Sequence, residues 1–277
     1  MRDEAARITV VPTTGPPSTT TTTELVDPSH VVRLLGDVVD HGVTTLASVT
    51  TGTTMTLVEP TPPLAAGETV EVGIGPAAVA AVSGADIAVY EQPWAEPTPD
   101  QVVRTFTATT RFSSPQVFLV TATHGAWLRV QLPIRPNHTE GWILRDQVEL
   151  RSIDHRIVVD VSDRTITVVD GQQVVAQSSV VVGRQGTPTP YGRFFVTDAL
   201  ALPNPHGVYG PYILALSARS EALQSFNGDE PIIAIHGTNR PGLIGTAASN
   251  GCVRLPNELI TQLITTVPLG TPVDVIA

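Results

Sequence analysis

The stretch that decides how this chain is read is Ile235–Asn257, IHGTNRPGLIGTAASNGCVRLPN. It is entered from the apolar run Pro231–Ile235, which reads as a short buried strand ending at His236 and followed at once by Gly237. Sixteen positions later stands Cys252, the single cysteine of 277 residues. The loop between them is rich in glycine and proline, and such a loop can fold back to set thiol beside imidazole. After Cys252, Asn257 reads as the N-cap of a helix through ELITQLI. Glu258 falls in its first turn, and Leu259, Ile260, Leu263 and Ile264 share one face.

Each of these residues alone has a plain structural reading. A lone cysteine is commonly buried filler, and a lone strand-end histidine is commonly a satisfied core residue. Together they allow nucleophilic chemistry. A free thiol titrates near ~8.5, so little of it is thiolate at neutral pH. A neighbouring imidazole can take the proton and later return it to a leaving amine. Gly237 would let the backbone approach closely, so that a local carbonyl orients the imidazole. Attack on a carbonyl creates an oxyanion, and the successive N–H groups of Asn250, Gly251 and Cys252 can form a nest for it. Arg254 can pair with a substrate carboxylate or brace the loop. Zinc fits poorly, because one cysteine and one histidine leave two ligands unaccounted for. No metal and no cofactor is expected.

Composition narrows the classes. All 16 basic residues are arginine, which excludes Schiff-base chemistry, P-loop phosphate binding and Ser-x-x-Lys acylation. Net charge is −10, with no basic face for a nucleic acid. One cysteine forbids an intrachain disulfide. No apolar run approaches ~18 residues, so no transmembrane helix is expected. The first residues lack the apolar core of an export signal.

Four segments follow. Residues 1–27, with Pro12, Pro16, Pro17 and the run Thr19–Thr23, read as a disordered Thr/Pro-rich linker. Residues 28–82 have no defined fold beyond a short helix from Pro28 to about Asp40, closed by Gly42. Residues 83–152 hold short alternating segments, Asp86–Pro93, Val117–Pro133 and Gly141–Leu150, with a hairpin turn at His124–Gly125. They read as a small antiparallel barrel, with Trp127 and Trp142 in its core or at its rim. From 153 to 277 the pattern stays strand-rich. Asp170–Gly171 separates two alternating runs as a hairpin, and GTPTPYGRFFVTD (Gly186–Asp198) holds the chain extended until Gly192 opens a strand.

The stretch Ile235–Asn257 resembles the catalytic signature of the L,D-transpeptidases of the YkuD type: His-Gly, a loop, then Ser-His-Gly-Cys-Ile/Val-Arg-Met/Leu-x-Asn. The resemblance extends through Gly186–Asp198 and Val208–Glu221, and so covers about 153–277. Residues 83–152 resemble the bacterial SH3-like domains that accompany cell-wall enzymes. The resemblance implies a mainly β fold: a β-sandwich-like catalytic domain with one helix after the cysteine, behind a small SH3-like barrel. It implies Cys252 as nucleophile, His236 as base and acid, and Gly237 at the position of the orienting carbonyl. It places Ser249, Arg254, Asn257, Tyr209 and Tyr212 around the substrate, with Arg254 and Asn257 also shaping the loop. Asn250 stands where the family pattern has histidine, though its backbone N–H survives the change.

The function implied is a peptidoglycan L,D-transpeptidase. It would take a tetrapeptide stem as donor, expel the terminal D-alanine, and pass the thioester to a diamino-acid acceptor in a 3-3 cross-link. The alternatives are an L,D-carboxypeptidase, in which water takes the thioester, and an inactive wall-binding module. Carbapenems would acylate Cys252. Such an enzyme is expected outside the cytoplasmic membrane, tethered to membrane or wall through a segment not present in this chain.

Overall fold

The computed structural model describes residues 70–71 and 77–277. The linker expected over 1–27 and the helix expected near 28–40 lie outside the described residues. The first group of strands is β1 (Val70–Glu71), β2 (Ala77–Val82), β3 (Ile87–Tyr90), β4 (Val102–Phe106), β5 (Val117–His124), β6 (Trp127–Gln131), β7 (Glu140–Leu144) and β8 (Val148–Ile153). They form one antiparallel sheet in the order β4-β3-β7-β6-β5-β2-β8, with β1 paired to β5. β5 and β6 turn at Gly125, whose positive φ suits the hairpin expected there. Trp127 and Trp142 are buried beside Tyr90 in a satellite cluster, and the Trp127 indole N–H donates to the Trp94 carbonyl.

The second group is β9 (His155–Asp160), β10 (Thr165–Asp170), β11 (Gln173–Ser179), β12 (Val182–Gly183), β13 (Gly192–Ala201), β14 (Tyr212–Arg219), β15 (Ile232–His236), β16 (Ala247–Ser249), β17 (Val253–Arg254), helix α1 (Asn257–Thr266) and β18 (Pro272–Ile276). Eight of these strands make a sheet in the order β11-β10-β9-β18-β13-β14-β15-β17, and β12 pairs with β16 apart from it. β10 and β11 turn at Asp170–Gly171, as the alternation predicts. Two pairings in the large sheet are parallel, β18 with β9 and β15 with β17. The second sets the site, because it lays the residues after Cys252 alongside the strand that ends at His236.

The main core lies between this sheet and α1. Ile233, Ile235, Val253 and Leu255 from the sheet meet Leu259, Ile260, Leu263 and Ile264 from the helix. Asn257 is not the N-cap: the helix is entered from Pro256, and no side chain caps it. Proline pre-sets the chain at a helix start, and this leaves the Asn257 side chain free for work elsewhere.

The two sheets share a seam. β2, on the near side of the boundary drawn at residue 83, pairs with both β5 and β8. Its Ala78 and Ala80 enter the core of the first sheet, while Val79 and Ala81 join Val117, Leu119, Ile153 and Phe195 against the second. Polar contacts fix the register of the seam. The Asn137 amide donates to the Arg219 carbonyl at 2.9 Å and accepts the Arg219 N–H at 2.8 Å, and Gln131 donates to the Arg193 carbonyl at 2.7 Å. Gly270 has φ +89°, and a Cβ there would lie 2.6 Å from a Val79 methyl, so the sheets meet too closely for any side chain.

Candidate active site

Alternation decides what the parallel pair β15–β17 presents. Ile235 stands opposite Val253 and His236 opposite Arg254. Ile233, Ile235, Val253 and Leu255 all face the core. Ala234, His236, Cys252 and Arg254 therefore share the other face. Continuing the register sets Cys252 beside Ala234, two residues along from His236 on the same face. With strands ~4.8 Å apart and a rise of ~3.3 Å per residue, the two Cα atoms are about 8 Å apart, a diagonal same-face spacing across which the imidazole can reach the thiol.

His236 is only 2% exposed. Its Nδ1 lies 2.6 Å from the Gly237 carbonyl oxygen. A carbonyl can only accept, so Nδ1 carries the proton and Nε2 keeps its lone pair. Burial lowers the pKa of His236 to about 4, aided by the charge of Arg254 and opposed by hydrogen bonds to the Gly237 and Tyr209 backbones. Burial likewise pushes the Cys252 thiol up, against a backbone hydrogen bond from Ala234 and the attraction of Arg254. At neutral pH the two groups rest as neutral thiol and neutral imidazole. The Tyr209 ring packs edge-on to the imidazole, with centroids 4.9 Å apart. Desolvation raises the Tyr209 phenol, and so does the nearby thiol.

The loop after His236 is held by close backbone approach. A Cβ on Gly237 would lie 2.3 Å from Asn257 Oδ1 and 3.0 Å from the Gly210 Cα. The Asn257 Oδ1 accepts the Thr238 N–H at 2.7 Å. The side chain read as a helix cap thus fixes the turn that carries the Gly237 carbonyl.

The turn before Cys252 is also braced from within. Ser249 is buried; its Oγ donates to the Cys252 carbonyl at 2.6 Å and accepts the Gly251 N–H at 3.1 Å. Two expectations change. Ser249 shapes the turn and does not line a substrate surface. The Gly251 N–H is already engaged, so Asn250 and Cys252 remain the candidate oxyanion donors of this turn. Gly251 still has the positive φ, +114°, that the turn requires. From below, Thr187 Oγ1 donates to the Ser249 carbonyl at 3.2 Å, and the Gly183 N–H donates to Thr189 Oγ1 at 2.9 Å. The TPTP segment thus supports the turn, a role visible in sequence only as an extended, hydroxyl-bearing run.

Tyr212 is a further correction. It packs against the core cluster that also takes Leu214 and Leu216. Its neighbour Ile213 is the residue opposite His236. Period-two alternation therefore turns Tyr212 away from the face of the thiol and imidazole. Among the described residues, no cluster of three or more His, Cys, Asp or Glu side chains could hold a metal ion. Among them also, no helix is long and apolar enough to cross a membrane.

A family model of the L,D-transpeptidase catalytic domain matches residues 154–275. A putative L,D-transpeptidase YkuD of Bacillus licheniformis is 35% identical over 124 residues, covering 45% of this chain and 67% of that protein. A putative L,D-transpeptidase YqjB of Bacillus subtilis is 33% identical over 125 residues, 43% of this chain and 70% of that one. Among solved structures, an L,D-transpeptidase from Mycobacterium smegmatis aligns over 58% of this chain and 90% of its own, at 16% identity and TM-score 0.37. The Ldtfm–avibactam carbamoyl enzyme aligns over 45% of this chain and 49% of its own, at 24% identity and TM-score 0.34.

Proposed function

The chain belongs to the L,D-transpeptidase family, and on that premise we propose that it is a peptidoglycan L,D-transpeptidase acting through a Cys252 acyl-enzyme. One observation carries the reading: His236 and Cys252 share a face across adjacent parallel strands, with Nδ1–H committed to the Gly237 carbonyl and Nε2 left basic.

The steps follow from that geometry. As the donor stem seats, the thiol proton passes to Nε2 and the sulfur attacks the carbonyl carbon of the third residue. The oxyanion is met by the Asn250 and Cys252 amides. The tetrahedral intermediate collapses, the C–N bond breaks, and the departing D-alanine amine takes the proton from Nε2. An amine of a second stem then attacks the thioester, loses its proton to Nε2, and the thiol re-forms. Because the pair rests uncharged, proton transfer is coupled to attack and no standing ion pair is needed. If water takes the place of the acceptor amine, the same residues give an L,D-carboxypeptidase.

The first sheet is read as the SH3-like companion domain, and the location as extracytoplasmic, where peptidoglycan lies. The test is mass spectrometry of a disaccharide-tetrapeptide substrate. A cross-linked dimer with loss of one D-alanine is expected, and a tripeptide alone would indicate the carboxypeptidase. Cys252→Ala should reduce both products by at least ~10³-fold, the scale on which a missing nucleophile acts. Undiminished D-alanine release would refute the assignment. Carbapenem incubation should add one drug mass to the wild type and none to the variant.

A further inference from the structure

The guanidinium groups that reach into the folded body are used differently. Arg219 donates to the carbonyls of Leu216, Ser217, Ala218 and Pro133 and stands 2.9 Å from Glu230. Arg135 donates to the Ser220 and Leu223 carbonyls and to Gln224. Both are braces. Arg254 does neither. Its Nε is buried without a hydrogen-bond partner, and among the described residues its side chain makes no hydrogen bond or ion pair. A guanidinium keeps its charge and five donors at any pH in reach. Leaving its Nε–H dry and unmade is costly, and a ligand that completes the guanidinium recovers that cost.

The position of Arg254 says which ligand. It lies on the face of the thiol and imidazole, opposite His236 and two residues past Cys252. Alternate residues of a strand stand roughly 7 Å apart along it. A peptide bound with one carbonyl at the thiol carries its next carbonyl carbon roughly 3–4 Å further on, within reach of a long side chain from the next position on the same face. The chain as a whole is anionic, at −10, so an anionic group needs a local cation to enter.

We propose that Arg254 determines donor specificity by receiving the free carboxylate of the terminal residue, so that the site takes acyl donors whose leaving amine bears a carboxylate. The inference rests on Cys252 being the nucleophile of the proposed function. The proposed function already releases a single terminal residue; what Arg254 adds is the means by which internal bonds, where an amide would replace the carboxylate, are turned away.

Two measurements test it separately. The single cysteine allows a charge probe that needs no turnover: second-order rate constants for alkylation by iodoacetate and by iodoacetamide, read by intact mass. Thiolate displaces iodide in both, so the ratio of the two rates cancels thiol acidity and reports only the charge beside Cys252. The ratio should exceed that of N-acetylcysteine measured in parallel. It should fall on the order of ten-fold in Arg254→Gln, hold largely in Arg254→Lys, and collapse in high salt. A wild-type ratio at or below that of the free thiol overturns the proposal, even if Arg254→Gln does not fold.

The second measurement compares release of the terminal residue from a disaccharide-tetrapeptide and from its C-terminal amide. A ten-fold or larger preference for the acid in kcat/KM, lost in Arg254→Gln, supports the proposal. Equal release overturns the role of Arg254 and leaves that of Cys252 standing. No release from either substrate counts against the proposed function, and the alkylation ratio then still decides on Arg254.

Discussion

A mild acid titration should single out His236. Its imidazole is 2% exposed, and its pKa is lowered to about 4, chiefly by burial. In the unfolded chain a histidine titrates near ~6.5. Between those values the unfolded state binds more protons than the native one, so stability falls as pH falls through the window. A gap of ~2.5 units at ~1.36 kcal/mol per unit comes to about 3 kcal/mol in full. Roughly 2.5 kcal/mol of that is gone by about pH 4.5. The carboxylates held low, Glu149 by Arg151 and Asp160 by the Asp163 N–H, lose their contributions only as pH falls further, through the ordinary carboxylate range and below. The stretch from about pH 6.5 to about 4.5 therefore belongs largely to the imidazole. Urea unfolding of the wild type and of His236→Gln at neutral pH and at about 4.5 gives the comparison. The wild type should lose about 2 kcal/mol more than the variant, whose amide has nothing to protonate. Equal losses would mean that the folded imidazole titrates like a solvated one. That would refute both its burial as a neutral base and the uncharged resting pair inferred from it.

The braces of the site and of the seam give two further expectations. Asn257→Ala removes the acceptor of the Thr238 N–H and should cost about 1–3 kcal/mol of stability. It should also lower kcat through the displaced Gly237 carbonyl, which paired urea and turnover measurements on the purified protein would read. Gly270→Ala sets a methyl against Val79 at a left-handed backbone position and should destabilise the two sheets together by about 1–3 kcal/mol. A single shifted urea transition is expected, and two separated transitions would show that the seam does not couple them.

The parts of the fold that follow local rules were open to sequence reading. Asp170–Gly171 turns where two alternating runs meet, and His236 and Cys252 fall where a strand end and a glycine turn put them. What escaped depends on partners distant in sequence. Asn257 satisfies the local rule for a cap, yet its oxygen is taken by an amide nineteen residues away. The Gly251 amide looks free in SNGC until the hydroxyl of Ser249 folds back onto it. Tyr212 could have been placed from parity alone, since it alternates with Leu214 and Leu216 and so belongs to the core side.

The strand Ala77–Val82, AAVAAV, shows why the sequence defines no fold for the stretch that ends at the seam. Alanine is a poor strand former, and the segment offers no polar–apolar alternation by which to recognise one face. Its alternation is instead between two cores: Ala78 and Ala80 face one, Val79 and Ala81 the other. A strand packed on both sides needs small side chains wherever the opposing surface stands close, and Gly270 pressed against Val79 marks that closeness. The small, unalternating side chains that hide this strand in the sequence are what let two sheets share it. A larger side chain at Ala80, which is fully buried, would push against the first core while Val79 holds the second.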